Sequence, residues 1–138
     1  MDSNPVAANL LSETDDDFAK ALHENYCKDQ DLEIQKGVSI GAHTKVQSHS
    51  FICELVSIGE HCFIGHGVMF VNDLFSDGAP AGGDKSKWKA THIGNHVSIG
   101  SNATILPVSI CDHVVIGAGA VVTKNISEPG NYVGNPAR

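Results

Sequence analysis

Residues 34–70 read IQKGVSIGAHTKVQSHSFICELVSIGEHCFIGHGVMF, and every sixth position is a large apolar residue: Ile34, Ile40, Val46, Ile52, Ile58, Ile64 and Phe70. A period of six matches neither the 3.6-residue turn of an amphipathic helix nor the two-residue alternation of a lone half-buried strand. It fits a coil of short parallel strands, in which each hexad supplies one strand and one corner. The rhythm resumes at Ile93 and runs through Ile99, Ile105, Ile110, Ile116 and Val122, with one short step between Ile105 and Ile110. About twelve hexads, three to a turn, predict an all-β coil of about four triangular turns.

Counting from each aliphatic residue as position one, position five is small or β-branched (Val38, Thr44, Ser50, Val56, Cys62, Val68). Glycine often takes position two, as at Gly41, Gly59, Gly65, Gly94, Gly100 and Gly117. Large aliphatics then fill the interior, small residues fit the corners, and glycine is expected where the backbone adopts angles that side chains resist.

Outside the hexads the chain changes character. Residues 71–90 contain Asp77-Gly78, Pro80, Gly82-Gly83 and the run Lys85-Ser86-Lys87-Trp88-Lys89. Roughly 20 aperiodic residues inside a compact repeat mark a functional excursion. In residues 1–30, Thr14 precedes Asp15, Asp16 and Asp17, a helix start by hydroxyl capping and dipole complementarity. Phe18, Ala21, Leu22 and Tyr26 follow as one apolar stripe, so a short helix is expected to cap the open end of the stack. The organisation is therefore an acidic capping segment over 1–30, a repeat body over 31–127 with its excursion at 71–90, and a tail over 128–138.

The net charge of −7 is unevenly spread, because nine of the 16 acidic residues lie at or before Glu33. From Ile34 onward seven acids meet seven bases, which leaves the repeat body neutral and without a nucleic-acid footprint. Cys27, Cys53, Cys62 and Cys111 have no C-x-x-C spacing and suit small apolar fillers in a reduced, cytoplasmic setting. No apolar run approaches the roughly 20 residues that span a bilayer, so no membrane partner is expected.

Three hexads per turn also make a ruler, stacking residue n beneath residue n+18 at about 4.8 Å. His43 falls beneath His61, Ser48 beneath His66 and Glu54 beneath Asn72. After the short step the interval is 17, placing His96 beneath His113 and Ser101 beneath Ala118. His43, His61, His96 and His113 share position four and read as a surface ladder. His49 also has that phase, but it lies diagonally across from His66 on the adjacent coil.

The segments IGHGVMFVNDLF, THIGNHVSIGSNATILP and VVIGAGAVVTKNI, with the terminal VGNPAR, resemble the hexapeptide-repeat acyltransferases. Within them the resemblance is to sugar-nucleotide N-acetyltransferases that use dTDP-3-amino-3,6-dideoxyhexoses. It implies a left-handed parallel β-helix, although the general rule for parallel crossovers favours the right hand. It also implies acetyl-CoA as co-substrate, a nucleotide-linked amino sugar as acceptor, a homotrimer and no metal. Relatives usually begin with further hexads where this chain has residues 1–30.

Acetylating an amine needs a proton acceptor and a donor for the developing oxyanion. His49 or His66 is the candidate base and Asn72 the candidate donor. Glu54 and Asp73 are candidate acceptors for the sugar's amine or hydroxyls. Lys85 and Trp88, flanked by Lys87 and Lys89, form a basic patch suited to a diphosphate or a base. The resemblance carries Ser101 and Ala118 to the pantetheine arm, and Thr123, Lys124 and Arg138 to the nucleotide phosphates of the coenzyme. His66 and Asn72 lie one hexad apart, at most roughly 20 Å when extended, so a site that uses both is expected to lie between subunits.

Three other readings share the fold. Sugar O-acetylation differs only in pocket detail, and a non-catalytic assembly module would keep the coil without the pocket. In the zinc-dependent γ-type carbonic anhydrases a histidine pair has the spacing of His61 and His66, but at other hexad positions.

Overall fold

The computed structural model describes residues 31–138, and the capping helix expected over 1–30 lies outside them. Among the described residues, fourteen strands of two or three residues, all paired in parallel, form three flat faces. The first turn runs through β1 (Glu33–Ile34), β2 (Ser39–Ile40) and β3 (Lys45–Val46), and the second through β4 (Phe51–Ile52), β5 (Val56–Ile58) and β6 (Phe63–Ile64). The third holds β7 (Met69–Phe70), β8 (Thr91–Ile93) and β9 (Ser98–Ile99), with the excursion between β7 and β8. The fourth holds β10 (Thr104–Ile105), β11 (Ser109–Ile110) and β12 (Val114–Ile116). β13 (Val121–Val122), a bridge from Ile126 to Ile110, and β14 (Gly130–Tyr132) on β12 then add a fifth level. The result is a left-handed parallel β-helix. Face A is β1-β4-β7-β10-β13, face B is β2-β5-β8-β11, and face C is β3-β6-β9-β12-β14.

The register follows the ruler. Ile34 pairs with Ile52, Ile40 with Ile58 and Val46 with Ile64, while Ile99 pairs with Ile116 after the short step. These aliphatics form the interior stack, and Ile40, Ile52, Ile64, Ile99 and Ile105 are fully buried. Each such side chain contributes on the order of 1.5–3 kcal/mol by leaving water. Buried hydroxyls at position five are satisfied within the coil. Thr44 Oγ1 donates to the Gly59 carbonyl at 2.7 Å and accepts from the Cys62 amide at 3.0 Å. Ser50 Oγ does the same with Gly65 and Val68, at 2.7 and 3.2 Å. Cys53 and Cys62 are buried fillers, and burial pushes both thiols up, Cys53 to about 11.

The corners explain the choice of residue at position four. Gly37, His43, His49, Leu55, His61, Gly67, His96, Asn102, His113 and Gly119 all have φ between 55° and 76°. That left-handed conformation is open to glycine and favours asparagine and histidine among the rest. Histidine recurs there because the backbone turns there. Position two differs from its expectation: its glycines are not in the left-handed region. They are required by close approach, since a Cβ on Gly41 would lie 2.5 Å from the Gly59 carbonyl carbon, and one on Gly100 2.5 Å from the Ala118 nitrogen.

Candidate active site

The candidates gather on the two edges of face A. At the edge shared with face C, Ser48, His66, Ser101 and Ala118 form one column; the ruler predicts Ser48 beneath His66 and Ser101 beneath Ala118, and the structure joins the two pairs across the excursion. The column is tied by the Gly67 amide to the Ser48 carbonyl (3.0 Å), Asn102 to His66 (2.8 Å) and Gly119 to Ser101 (2.8 Å). Ser48 Oγ lies 2.9 Å from His66 Nδ1, which holds the imidazole and leaves Nε2 without a protein partner among the described residues. His49, one position along, has Nδ1 at 3.3 Å from the Asp31 carboxylate, and both groups are well exposed. A carboxylate only accepts, so that contact favours the proton on Nδ1 and leaves Nε2 basic. Both histidines thus meet the chemical requirement of a base, but only His66 shares a column with Ser101 and Ala118.

At the edge shared with face B, Glu54 and Asn72 form the corresponding column, and the Gln35 side chain reaches it from the coil below. The Glu54 amide donates to Gln35 Oε1 at 3.0 Å, and Asn72 Nδ2 donates to the Glu54 carbonyl at 3.1 Å. Asn72 is buried. The excursion leaves and returns here, its neck closed by the Lys89 amide on the Asn72 carbonyl at 2.8 Å. Asp73 organises it from within: one oxygen accepts from the Phe75 amide at 3.0 Å and the other from Ala81 at 2.7 Å. Lys85 Nζ reaches both Glu54 oxygens, at 3.1 and 3.2 Å, and lies 5.5 Å from the Trp88 ring centre. A cleft of about 450 Å³ opens on face A, lined by Gln35, Phe51, Met69, Asn72, Phe75 and Trp88 among others.

The structure brings together Glu54, Asn72, Asp73, Lys85 and Trp88, and separately His66, Ser101 and Ala118. It does not bring His66 to Asn72, which lie on opposite sides of β7. The coenzyme candidates divide likewise. Arg138 exchanges backbone hydrogen bonds with Val133, whose side chain lies over Gly117 beside Ala118. Thr123 and Lys124 follow β13 at the far edge.

The expected ladder stands on the third edge. His43, His61, His96 and His113 stack with ring centres 4.9, 5.0 and 4.9 Å apart. His61 and His66 flank β6 on different edges, unlike a chelating pair. One pair escaped the spacing argument: Ser57 Oγ lies 2.8 Å from His92 Nδ1 on face B. These residues pair in register although 35 positions apart, because the excursion intervenes. Matching hexad phase across the excursion, Ile58 to Ile93, would have found them. No helix among the described residues is long and apolar enough to cross a membrane.

A three-faced coil with left-handed corners at position four and close-approach glycines at position two defines the β-helices built from hexapeptide repeats. The chain carries hexapeptide repeats: residues 55–69 and 91–124 match the family described as hexapeptide repeat of succinyl-transferase. Over 92 residues it is 39% identical to the bifunctional protein GlmU of Clavibacter sepedonicus, covering 66% of this chain and 16% of that one. It therefore spans about a sixth of the length of that curated relative. Soybean serine acetyltransferase superposes with a TM-score of 0.71 at 29% identity, over 96% of this chain and 52% of that one. A hexapeptide-repeat-containing acetyltransferase of Vibrio cholerae O1 biovar eltor, complexed with acetyl coenzyme A, gives 0.64 at 25% identity, over 78% and 61%.

Proposed function

We propose that this chain is an acetyl-CoA-dependent N-acetyltransferase acting on the amine of a nucleotide-linked amino sugar. The observation that carries the proposal is the Glu54–Asn72 column, where a carboxylate and a carboxamide stand at the neck of an excursion that supplies Trp88. A carboxylate and a carboxamide oxygen suit an amine, and an indole face suits a nucleobase. Solved neighbours of the same fold are acetyltransferases, one with acetyl coenzyme A bound, which supports acyl transfer.

In the proposed reaction the acceptor amine attacks the thioester carbonyl, a C–N bond forms, the C–S bond breaks and CoA leaves. His66 takes the amine's proton at Nε2 while Ser48 holds Nδ1. Asn72 Nδ2 or a backbone amide faces the developing oxyanion. The small residues Ser101 and Ala118 leave their backbones open to a pantetheine arm. Because His66 and Asn72 occupy opposite edges of one face, the complete site forms between copies in a homotrimer. Exposed Phe63 and Val115 on face C and Met69 on face A, 40, 47 and 42% accessible, supply apolar surface for that contact.

A thioester-release assay across dTDP- and UDP-linked amino sugars tests the activity. His66→Ala and Asn72→Ala should each lower kcat by about 10²-fold, and His49→Ala reports whether the second histidine takes part. Unchanged rates in all three variants would remove the site assignment. A fully active monomer in sedimentation would remove the shared site.

A further inference from the structure

Lys85 starts in the excursion and its side chain turns back onto the coil. Its ammonium sits 3.1 and 3.2 Å from the two Glu54 oxygens. The return is built into the loop. Asp84 caps the turn Lys85–Lys87 by accepting from the Ser86 amide at 3.1 Å, Lys87 pairs with Asp77, and Lys85 Nζ lies 5.5 Å from the Trp88 ring centre. The Glu54 side chain is 20% accessible and that of Lys85 55%, so the carboxylate is the more enclosed partner.

A primary ammonium therefore occupies the carboxylate beside Asn72, the place assigned above to the acceptor's amine. We infer that Lys85 is an internal stand-in for the substrate amine, and that it sets which amines enter. This inference rests on the proposed amine site. In the ligand-free chain Lys85 spares Glu54 from being enclosed without a partner. A pair with one exposed partner is weak and exchanges readily. Its tether nonetheless presents Lys85 at an effective concentration on the order of millimolar. A simple free amine at lower concentration loses that competition. An amine carried on a nucleotide succeeds, because contacts made elsewhere, such as stacking on Trp88, offset the exchange. Lys85 thereby converts a generic ammonium site into one that admits only amines bearing a second handle.

The test is calorimetric binding to the full chain of two probes: dTDP-3-amino-3,6-dideoxyglucose and dTDP-6-deoxyglucose, which has a hydroxyl in place of the amine. Lys85→Met should tighten the amine-bearing probe about 3- to 10-fold and leave the amine-free probe unchanged, with Lys85→Arg close to wild type. Weaker binding of both probes to Lys85→Met would overturn the inference and make Lys85 a phosphate partner. Equal, unchanged affinities would overturn it and make the pair idle. If neither probe binds any variant, the proposed substrate class falls, and the inference with it.

Discussion

Placing a methyl group on Gly100 tests the reason given for position two. The added Cβ would sit 2.5 Å from the Ala118 nitrogen, 2.8 Å from its Cα and 2.9 Å from the Gly117 carbonyl carbon, all main-chain atoms of the next coil. The shortest contact falls 0.9 Å below the 3.4 Å at which ordinary packing begins. No side chain can rotate away, so the coils themselves must part. The Gly100 amide to the Ile116 carbonyl and the Gly119 amide to the Ser101 carbonyl, both 2.8 Å, cross that gap. Taken wholly along the coil axis, the displacement would carry both beyond the roughly 3.2 Å limit of good hydrogen bonds. Two weakened bonds at about 1 kcal/mol each, with about 1–3 kcal/mol of overpacking, make Gly100→Ala cost about 3–5 kcal/mol. At about 4 °C per kcal/mol the melting temperature falls by about 12–20 °C. Gly37 is the control: its φ is +76°, but nothing lies within 4 Å of an added Cβ. Gly37→Ala should cost only about 1–2 kcal/mol of left-handed strain, and Gly37→Asn less. Thermal unfolding by far-ultraviolet circular dichroism measures all three. Gly100→Ala melting within 3 °C of the parent chain, or above Gly37→Ala, would refute the close-approach account.

Ile99→Ala, which empties a fully buried interior position, should cost about 2–5 kcal/mol in urea unfolding at constant slope. At the ladder, His61→Asn should be tolerated and His61→Val should lose about 1–2 kcal/mol, because a β-branched residue fits poorly at φ 55°. Ser48→Ala removes the group that orients His66 and should lower kcat for acetyl transfer about 10-fold with little change in KM, measured by thioester release. The Cys53 thiol is raised from 9.0 to about 11 by burial, with Glu54 adding to the rise. The folded chain therefore holds the Cys53 proton more tightly than the unfolded chain. Its contribution to stability is complete below pH 9 and is lost between pH 9 and about 11, so the alkaline decline in melting temperature should be shallower in Cys53→Ser.

Much of the architecture could be read from the hexads, because a β-helix repeats one local geometry and its stacking interval is countable. Ser48 beneath His66, Glu54 beneath Asn72, His43 beneath His61 and His96 beneath His113 all stand where an interval of 18 or 17 puts them. What escaped depends on interactions that periodicity does not encode. Asp73 capping two loop amides and Lys85 returning to Glu54 are side-chain choices within an aperiodic segment. The Ser57–His92 contact straddles that segment, and the counting rule fails across it. After β13 the fifth level is completed by Ile126 and Gly130–Tyr132, where the six-residue rhythm has lapsed but the backbone still finds strand partners. Position-two glycine was legible as a constraint, but its cause, contact with the next coil, lies in a dimension that one hexad does not contain.

The closed neck between Asn72 and Lys89 has a consequence for how such molecules diversify. Ile58 pairs with Ile93 across an interval of 35, where uninterrupted winding needs 18, so 17 residues are accommodated without adding a rung or shifting a register. The inserted chain begins and ends at one point on the scaffold, which makes its length and composition free variables of the fold. Variation can rewrite the contents of that loop while every strand keeps its partner, and a graft of another excursion onto the same neck should inherit the frame intact.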